Sequence, residues 1–140
     1  MNGRFFLDTN IFVYSFDENS TAKARRASKL IRTAVETGKG IISYQVVQEF
    51  LNVALKRFAT PMSAPEAAQY LATVLRPLWI VGSSQALFGE ALRICDEHHL
   101  SWHDSLIVSA AIESECEILY SEDLQRGRRF GSLQVQNPFQ

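Results

Sequence analysis

"RFFLDTNIFVYSF", residues 4–16, sets two polar side chains between two apolar runs. Phe5 to Leu7 are large and apolar, and Asp8 and Asn10 come before a second apolar and aromatic run that starts at Ile11. A short apolar run bounded by polar residues is typical of a strand buried on both faces, as in a parallel sheet. Because an unpaired buried carboxylate costs several kcal/mol, Asp8 needs a partner from elsewhere in the protein.

Three more apolar runs of this kind follow, at residues 41–42, 78–81 and 118–120, and residues 133–135 predict an edge strand. Apolar spacing predicts helices between them: a short one from residue 11, one ending at Gly38, one over 46–58, one from Ser63 that ends before Pro77, and two over 84–98 and 102–115. Strands that alternate with helices predict an α/β fold, here a three-layer α/β/α sandwich with a mainly parallel central sheet. No linker or repeat divides the chain, so we expect a single domain over residues 1–140.

The composition is that of an ordinary globular protein. Of 140 residues, 46% are hydrophobic and 21% are charged, which excludes the disordered and fibrous classes. The net charge of −1 excludes an overall basic surface, so contact with a nucleic acid must use a local patch. Cys95 and Cys116 have no metal-ligand spacing and are expected to be free thiols. No apolar run approaches the roughly 20 residues that span a bilayer and no signal peptide is recognisable, so we expect a cytoplasmic protein with no membrane partner.

Four acidic residues are candidates for a shared site. Asp8 and Asp123 each follow a predicted strand, and functional groups in a parallel sheet gather beyond the carboxyl ends of the strands. Glu49 lies in an early turn of the helix after the strand at 41–42, near the same edge. Asp104 lies near the start of the helix over 102–115. The topology therefore predicts that at least Asp8 and Asp123 converge.

The helix that carries Asp104 is predicted to have two different sides. At about 100° per residue, Asp104 falls on the apolar side. The polar side runs through Ser105, Ser109 and Glu113, and His103 is expected to point elsewhere on the helix. Asp104 therefore points into apolar surroundings, which makes it the most informative of the four acids.

Each acid also has a structural interpretation that the sequence leaves open. Asp8 is suited to cap the short helix that follows it. Asp104 stands three residues after Ser101 and could be the second member of a capping box. Taken alone, Glu49 is typical of a solvated helix residue and Asp123 of a loop residue.

Taken together, the four acids favour a divalent cation. Two carboxylates about 5 Å apart repel by roughly 3 kcal/mol at an effective dielectric constant near 20, so several such pairs destabilise a site without a cation. The set has no cysteine and no clear histidine ligand, which favours Mg²⁺ or Mn²⁺ over zinc. A divalent ion held by carboxylates can polarise a phosphate and activate water. This chemistry suggests phosphodiester hydrolysis.

Four stretches of the chain follow a recognisable pattern: FLDTNIFVYSF (6–16), SYQVVQEFLNVALKR (43–57), WHDSLIVSAAIESECEILYSEDL (102–124) and VQNPF (135–139). The ordered set of Asp-Thr-Asn, a helical Glu, Trp-x-Asp and Ser-x-Asp resembles a PIN domain, of the type found in VapC toxins of bacterial toxin–antitoxin pairs. The resemblance implies a Mg²⁺- or Mn²⁺-dependent endoribonuclease with an α/β/α fold. It also implies a set of catalytic and metal-binding acids, namely Asp8, Glu49, Asp104 and Asp123.

The same resemblance assigns supporting residues and leaves one choice open. It implies that Thr9 and Asn10 orient the first metal ligand or the scissile phosphate, with Ser121 standing where the family often has threonine. Glu122 adjoins Asp123, so the identity of the fourth acid is open, and Asp123 is preferred. The expected reaction is in-line attack by water that leaves a 5′-phosphate and a 3′-hydroxyl.

Expected partners are an RNA substrate, a cognate antitoxin and a second copy of the chain. Arg126, Arg128 and Arg129 follow Asp123 in a glycine-containing loop and are candidates for contact with RNA phosphates, which would position RNA without reading its sequence. The resemblance implies the toxin of a type II toxin–antitoxin pair, silenced by the antitoxin, and a homodimer.

Two other functions compete with a ribonuclease. One is a non-catalytic PIN-like scaffold that binds RNA or a protein, against which the complete set of four acids argues. The other is a phosphatase with an aspartyl nucleophile after its first strand. That chemistry usually places a second aspartate two positions on, where this chain has Asn10.

Overall fold

Six strands form one sheet in the computed structural model, which describes residues 2–140. They are β1 (Phe5–Leu7), β2 (Gly40–Ser43), β3 (Trp79–Val81), β4 (Ile118–Tyr120), β5 (Arg129–Phe130) and β6 (Leu133–Gln136). Their order across the sheet is β3-β2-β1-β4-β6-β5, and every neighbouring pair is parallel except β5 with β6. The predicted α/β fold with a mainly parallel central sheet is confirmed.

The centre of the sheet is buried and apolar. In β1, Phe6 lies opposite Ile41 of β2 on one side and Leu119 of β4 on the other, and none of the three is more than 5% exposed. Because these strands are parallel, their carboxyl ends meet at one edge of the sheet. That edge, which we call the acidic edge, is where the chain continues into Asp8 after β1 and into Ser121 after β4.

Seven α-helices surround the sheet: α1 (Thr9–Tyr14), α2 (Thr21–Thr37), α3 (Tyr44–Lys56), α4 (Ala64–Tyr70), α5 (Arg76–Leu78), α6 (Gln85–His98) and α7 (Trp102–Glu113). Ser20 caps α2, since its hydroxyl accepts a hydrogen bond from the N–H of Lys23. Gly38 ends the same helix with φ +70°, a left-handed conformation that glycine adopts without strain. The end of the helix at Gly38 agrees with the sequence prediction.

The prediction that the helix from Ser63 ends before Pro77 is wrong. A π-helical segment (Leu71–Leu75) follows α4, and its wider turn closes with a hydrogen bond from the N–H of Arg76 to the carbonyl of Leu71. Pro77 then stands at the start of α5, where a missing N–H and a fixed φ are tolerated. The helical path therefore continues to Leu78.

The prediction of an edge strand at residues 133–135 is also wrong in its position. β6 lies between β4 and β5, so the edge strand on this side of the sheet is β5, after which the chain reverses direction at Gly131 with φ +65°. A strand of two residues is too short to give a recognisable hydrophobic period, so sequence reasoning missed it.

Helix α7 is not two-sided as predicted, because Ser105 and Ser109 are buried. The hydroxyl of Ser105 donates to the carbonyl of Ser101 at 2.8 Å, and the hydroxyl of Ser109 donates to the carbonyl of Leu87 in α6 at 2.9 Å. A buried hydroxyl that has an acceptor costs little. Serines that looked like a polar face therefore pack inside, and most of α7 is enclosed by its neighbours.

One expectation from composition agrees with the structure. Cys95 and Cys116 are free thiols, and Cys116 belongs to the core. Within residues 2–140, none of the helices combines the length and the apolar character needed to cross a bilayer.

Candidate functional site

Asp8 joins β1 to α1 at the acidic edge and is 1% exposed. Its Oδ1 accepts a 2.7 Å hydrogen bond from the N–H of Thr9, and its Oδ2 accepts a 2.8 Å hydrogen bond from the hydroxyl of Ser121. Asp8 is also the N-cap of α1. The capping interpretation is therefore correct, and the second carboxylate oxygen is held by a residue from another strand.

The carboxyl group of Asp8 has an unusual acidity. Burial raises its pKa from 3.8 to about 6, although the hydrogen bonds from Ser121 and Thr9 act in the opposite direction. The negative charge of Asp123 raises this pKa further, and the nearby His103 lowers it. Asp8 is therefore ionised at neutral pH, but at a cost in free energy that these two hydrogen bonds only partly offset.

Asp123 follows β4 in an exposed loop and turns toward α1. The side-chain amide of Asn10 donates to both carboxylate oxygens of Asp123 at 3.1 Å. The backbone N–H of Asp123 donates to the hydroxyl of Ser121 at 3.2 Å. Desolvation is the largest cause of a raised pKa at Asp123, followed by the charges of Asp104 and Glu122. The structure thus brings Asp123 within electrostatic range of Asp8 and Asp104.

Glu49 reaches the same place from α3. Its Oε2 lies 3.1 Å from Nε2 of His103, whereas its Oε1 is buried with no hydrogen-bond partner in the protein. Burial is the largest cause of the raised pKa of Glu49, the charges of Asp8 and Asp123 raise it further, and His103 lowers it. Glu49 is therefore a member of the acidic cluster and not a solvated helix residue.

The structure contradicts the expectation that His103 points away from the acids. His103 lies in the first turn of α7, and its ring faces Glu49 while its backbone carbonyl accepts a 3.2 Å hydrogen bond from the side chain of Gln45. The contact joins two helices that are far apart in the chain, so helical periodicity within α7 gave no signal of it. His103 is a member of the site that sequence reasoning missed.

Asp104 stands one residue further along α7 and is half-buried. The hydroxyl of Ser101 accepts a 3.1 Å hydrogen bond from the N–H of Asp104. Among the residues that the structure describes, the Asp104 carboxylate returns no hydrogen bond to Ser101, so the predicted capping box is only half formed. The carboxylate instead acts on Asp123, whose pKa it raises.

Glu122, the alternative to Asp123, is engaged elsewhere. Its Oε1 accepts a 2.9 Å hydrogen bond from the hydroxyl of Tyr14, and its Oε2 lies 3.2 Å from Nζ of Lys23. Both oxygens therefore have partners on α1 and α2. Of the two adjacent acids, Asp123 is the one that Asn10 holds beside Asp8.

The structure does not gather the three arginines after Asp123 into one patch. Arg126 is exposed, whereas Arg128 donates to the carbonyl of His98 at 3.1 Å and lies over the ring of Phe130 at 5.1 Å. Arg129 lines a cavity of about 1090 Å³ at the start of β4, whereas Asp123 follows the end of that strand. Of the three arginines, Arg126 is therefore the exposed one that closely follows Asp123 in the chain, and it is the remaining candidate for contact with RNA at the acidic edge.

The donor chemistry of the cluster fits a hard divalent cation. Within residues 2–140, no three or more His, Cys, Asp or Glu side chains are arranged to hold a metal ion as they stand. His103 faces Glu49, and the amide of Asn10 donates to both carboxylate oxygens of Asp123. The donors themselves are all carboxylate oxygens, and the buried, unpartnered Oε1 of Glu49 is an oxygen that a cation would satisfy.

A model of the PIN domain family matches residues 5–129. This chain belongs to the PIN domain family. The match spans all four candidate acids and confirms the family that the sequence stretches predicted. PIN domains are typically nucleases, so family membership supports a nuclease in general terms.

Solved structures with the same fold come from toxin–antitoxin systems. The PIN domain is similar to a toxin–antitoxin complex from Klebsiella pneumoniae, with 21% identity, a TM-score of 0.67, and coverage of 95% of this chain and 96% of that one. It is similar to VapBC2 from Rickettsia felis bound to promoter DNA, with 20% identity, a TM-score of 0.63, and coverage of 95% of this chain and 97% of that one. VapC20 from Mycobacterium tuberculosis, a toxin that cleaves the sarcin–ricin loop, gives 18% identity, a TM-score of 0.63, and coverage of 85% and 89%. Comparison with curated proteins gives no significant match.

Proposed function

We propose that this PIN domain is a Mg²⁺- or Mn²⁺-dependent endoribonuclease and the toxin of a type II toxin–antitoxin pair that acts in the cytoplasm. One observation carries the proposal. Carboxylates from four separate segments of the chain act on one another at the acidic edge, with Asp8 buried and its pKa raised to about 6. Such an arrangement costs stability in the metal-free protein, and carboxylates with raised pKa values cluster at functional sites.

The carboxylates have distinct tasks in this proposal, and those that would hold the ion are Asp8, Glu49, Asp104 and Asp123. When bound, a divalent ion would neutralise charge on the phosphate and favour ionisation of a water molecule. Ser121 and the N–H of Thr9 keep the Asp8 carboxylate oriented and ionised, since both donate to it. Asn10 keeps Asp123 turned toward the cluster. His103, beside Glu49, holds positive charge near the acids when it is protonated.

Partners follow from the family and from the neighbours of known structure. Neighbours of known structure include a toxin–antitoxin complex and VapBC complexes, and three of the neighbours are described as bound to DNA. We propose that this chain likewise binds a cognate antitoxin and forms a homodimer. Light scattering of the purified chain, alone and with a candidate antitoxin protein, measures both. A molar mass near 15.8 kDa at micromolar concentration would contradict the homodimer.

We further propose that residues 1–140 fold as one domain. The support is that one sheet contains strands from positions 5 to 136 of the chain. Dividing the chain anywhere between these positions would therefore separate or break strands of the same sheet. Unfolding followed by tryptophan fluorescence and by far-ultraviolet circular dichroism should give coincident transitions. Two separate transitions would contradict a single domain.

The proposed function is tested by cleavage of defined RNAs. The purified chain is incubated with one structured and one single-stranded RNA in Mg²⁺, in Mn²⁺ and in chelator, and the product ends are identified. We expect cleavage only with a divalent ion and products that carry 5′-phosphates. RNA binding without cleavage under every condition would favour the non-catalytic scaffold instead, and cleavage in chelator would contradict the metal-dependent mechanism.

A further inference from the structure

We propose that Tyr14, Lys23, Glu122 and Phe139 form a latch that fixes the loop after β4 and thereby positions Asp123 at the acidic edge. The inference rests on the proposed function, because Asp123 has a task only if the acids bind a cation. It assigns Glu122 a positioning role in place of a direct one. It also gives a purpose to the closing residues 137–139, which the proposed function does not use.

Glu122 is the centre of the latch. Its Oε1 accepts a 2.9 Å hydrogen bond from the hydroxyl of Tyr14 in α1, and its Oε2 lies 3.2 Å from Nζ of Lys23 in α2. One side chain of the loop is therefore tied to two helices. A carboxylate with both oxygens engaged by a hydroxyl and an ammonium group is held in a single orientation more firmly than one held by a single donor.

Two aromatic rings lie beside the ammonium group of Lys23. Nζ of Lys23 lies 4.3 Å from the centroid of the Tyr14 ring and 5.5 Å from that of Phe139. The rings of Tyr14 and Phe139 meet edge to face at 5.0 Å. A cation within about 6 Å of an aromatic face is attracted to it, so Phe139 limits the positions that Lys23 can take.

The end of the chain is anchored so that Phe139 can do this. After β6, Nε of Arg26 donates a 2.9 Å hydrogen bond to the carbonyl of Pro138, which is buried. The N–H of Phe139 donates to Oδ1 of Asn137 at 2.9 Å. The last residues therefore cross from the sheet to α2 along a fixed path.

The latch matters for Asp123 because the side chains of the loop point in different directions. Ser121 reaches Asp8, Glu122 reaches Tyr14 and Lys23, and Asp123 accepts hydrogen bonds from Asn10. The contacts of Asp123 with Asn10 are exposed to solvent, where water competes for the same groups. The neighbouring Glu122 supplies the more enclosed attachment, so its loss should let Asp123 move.

The test is a calorimetric titration with Mn²⁺ of the full chain and of three variants, Glu122→Gln, Tyr14→Phe and Lys23→Met. We expect each to bind Mn²⁺ about fivefold more weakly than the wild type, the factor for loss of one hydrogen bond of ordinary strength. Lys23→Arg keeps the charge and should restore wild-type affinity. Glu97→Gln is the matched control, because Glu97 is an exposed acid that pairs with Arg93 in α6.

A second readout separates positioning from simple stability. In metal-free protein, amide hydrogen exchange of residues 121–126 should speed up in Glu122→Gln while exchange in β1 and α7 stays unchanged. If the wild-type chain binds Mn²⁺ and all latch variants bind it with the same affinity, the latch is overturned and the proposed function is not. No Mn²⁺ binding by the wild-type chain would overturn the proposed function, and the positioning role with it.

Discussion

The hydroxyl of Ser121 donates a 2.8 Å hydrogen bond to Oδ2 of Asp8, and neither residue is more than 1% exposed. The two residues extend neighbouring parallel strands, β1 and β4, past their carboxyl ends. Asp8 is thus a buried carboxylate whose donors come from its own helix and from the next strand. This pairing lowers the pKa of Asp8, although burial has the larger effect and the pKa stands at about 6.

Replacing Ser121 should lower the stability of the metal-free protein. Ser121→Ala leaves a buried charged oxygen without its donor and should lower the free energy of unfolding by about 2 kcal/mol at pH 7 in chelator. Ser121→Thr keeps the hydroxyl and should stay close to wild type. Ser109→Ala is the control, since Ser109 is equally buried but donates to a neutral carbonyl. Chemical denaturation measures all three, and equal losses in Ser121→Ala and Ser109→Ala would contradict a charge-specific role.

Asp8→Asn should make the metal-free protein more stable at neutral pH. The pKa of Asp8 is about 6 in the folded protein, against 3.8 for an ordinary aspartate, so the folded state keeps a proton that the unfolded state has lost between pH 4 and 6. Over that window the free energy of unfolding falls as pH rises, by about 3 kcal/mol in total for a shift of this size. The asparagine variant has no carboxyl group to lose a proton at this position. The difference in free energy of unfolding between the variant and the wild type should therefore grow from near zero at pH 4 to the full amount at pH 7. Denaturation in chelator at several pH values measures the difference, and a constant offset would contradict the raised pKa.

Asn10→Asp should make the protein more dependent on a divalent ion. The Asn10 amide lies 3.1 Å from both oxygens of Asp123, and a carboxylate there replaces attraction with repulsion of about 2 kcal/mol after solvent screening. The melting temperature in chelator should fall, and Mg²⁺ should raise it by more than in wild type. Asn52→Asp, which adds an exposed carboxylate on α3 away from this contact, should show no extra response to Mg²⁺. Equal responses in the two variants would argue against a cation site.

Arg126 and Arg129 should differ in their effect on RNA binding. Arg126 is exposed shortly after Asp123, whereas Arg129 lines the cavity at the start of β4. Arg126→Ala should reduce the slope of log affinity against log salt by roughly 0.7 to 0.9, the change expected for one lost phosphate contact. Arg129→Ala should leave the slope unchanged. Fluorescence anisotropy with labelled RNA over a salt series measures both, and the opposite ranking would place the RNA path at the other end of the sheet.

The sheet and the acids were predictable because their signals are local. Phe5 to Leu7 and the run at 118–120 are short and apolar, and the acids that follow them stand at one edge as soon as the strands are parallel. The choice of Asp123 over Glu122 was not decidable, since it depends on contacts with Asn10, Tyr14 and Lys23 that only the folded chain makes.

The features that sequence reasoning missed depend on contacts between distant segments. Ser105 and Ser109 are polar residue types, but carbonyl acceptors let them be buried, which removed the polar face predicted for α7. His103 meets Glu49 only because the fold brings the first turn of α7 to the side chains of α3 at the acidic edge. Pro77 follows a π-helical segment, and that change of helical period has no simple sequence signature.

The measurement that tests the central claim most directly is the rate of RNA cleavage in Mg²⁺ by wild type, Asp104→Asn and Asp96→Asn. Asp96 is an exposed aspartate on α6 and serves as the matched control. The four-carboxylate account predicts equal rates for wild type and Asp96→Asn, no cleavage in chelator, and a rate for Asp104→Asn lower by about a hundredfold or more. Cleavage by Asp104→Asn at the wild-type rate, with the protein folded, would contradict it.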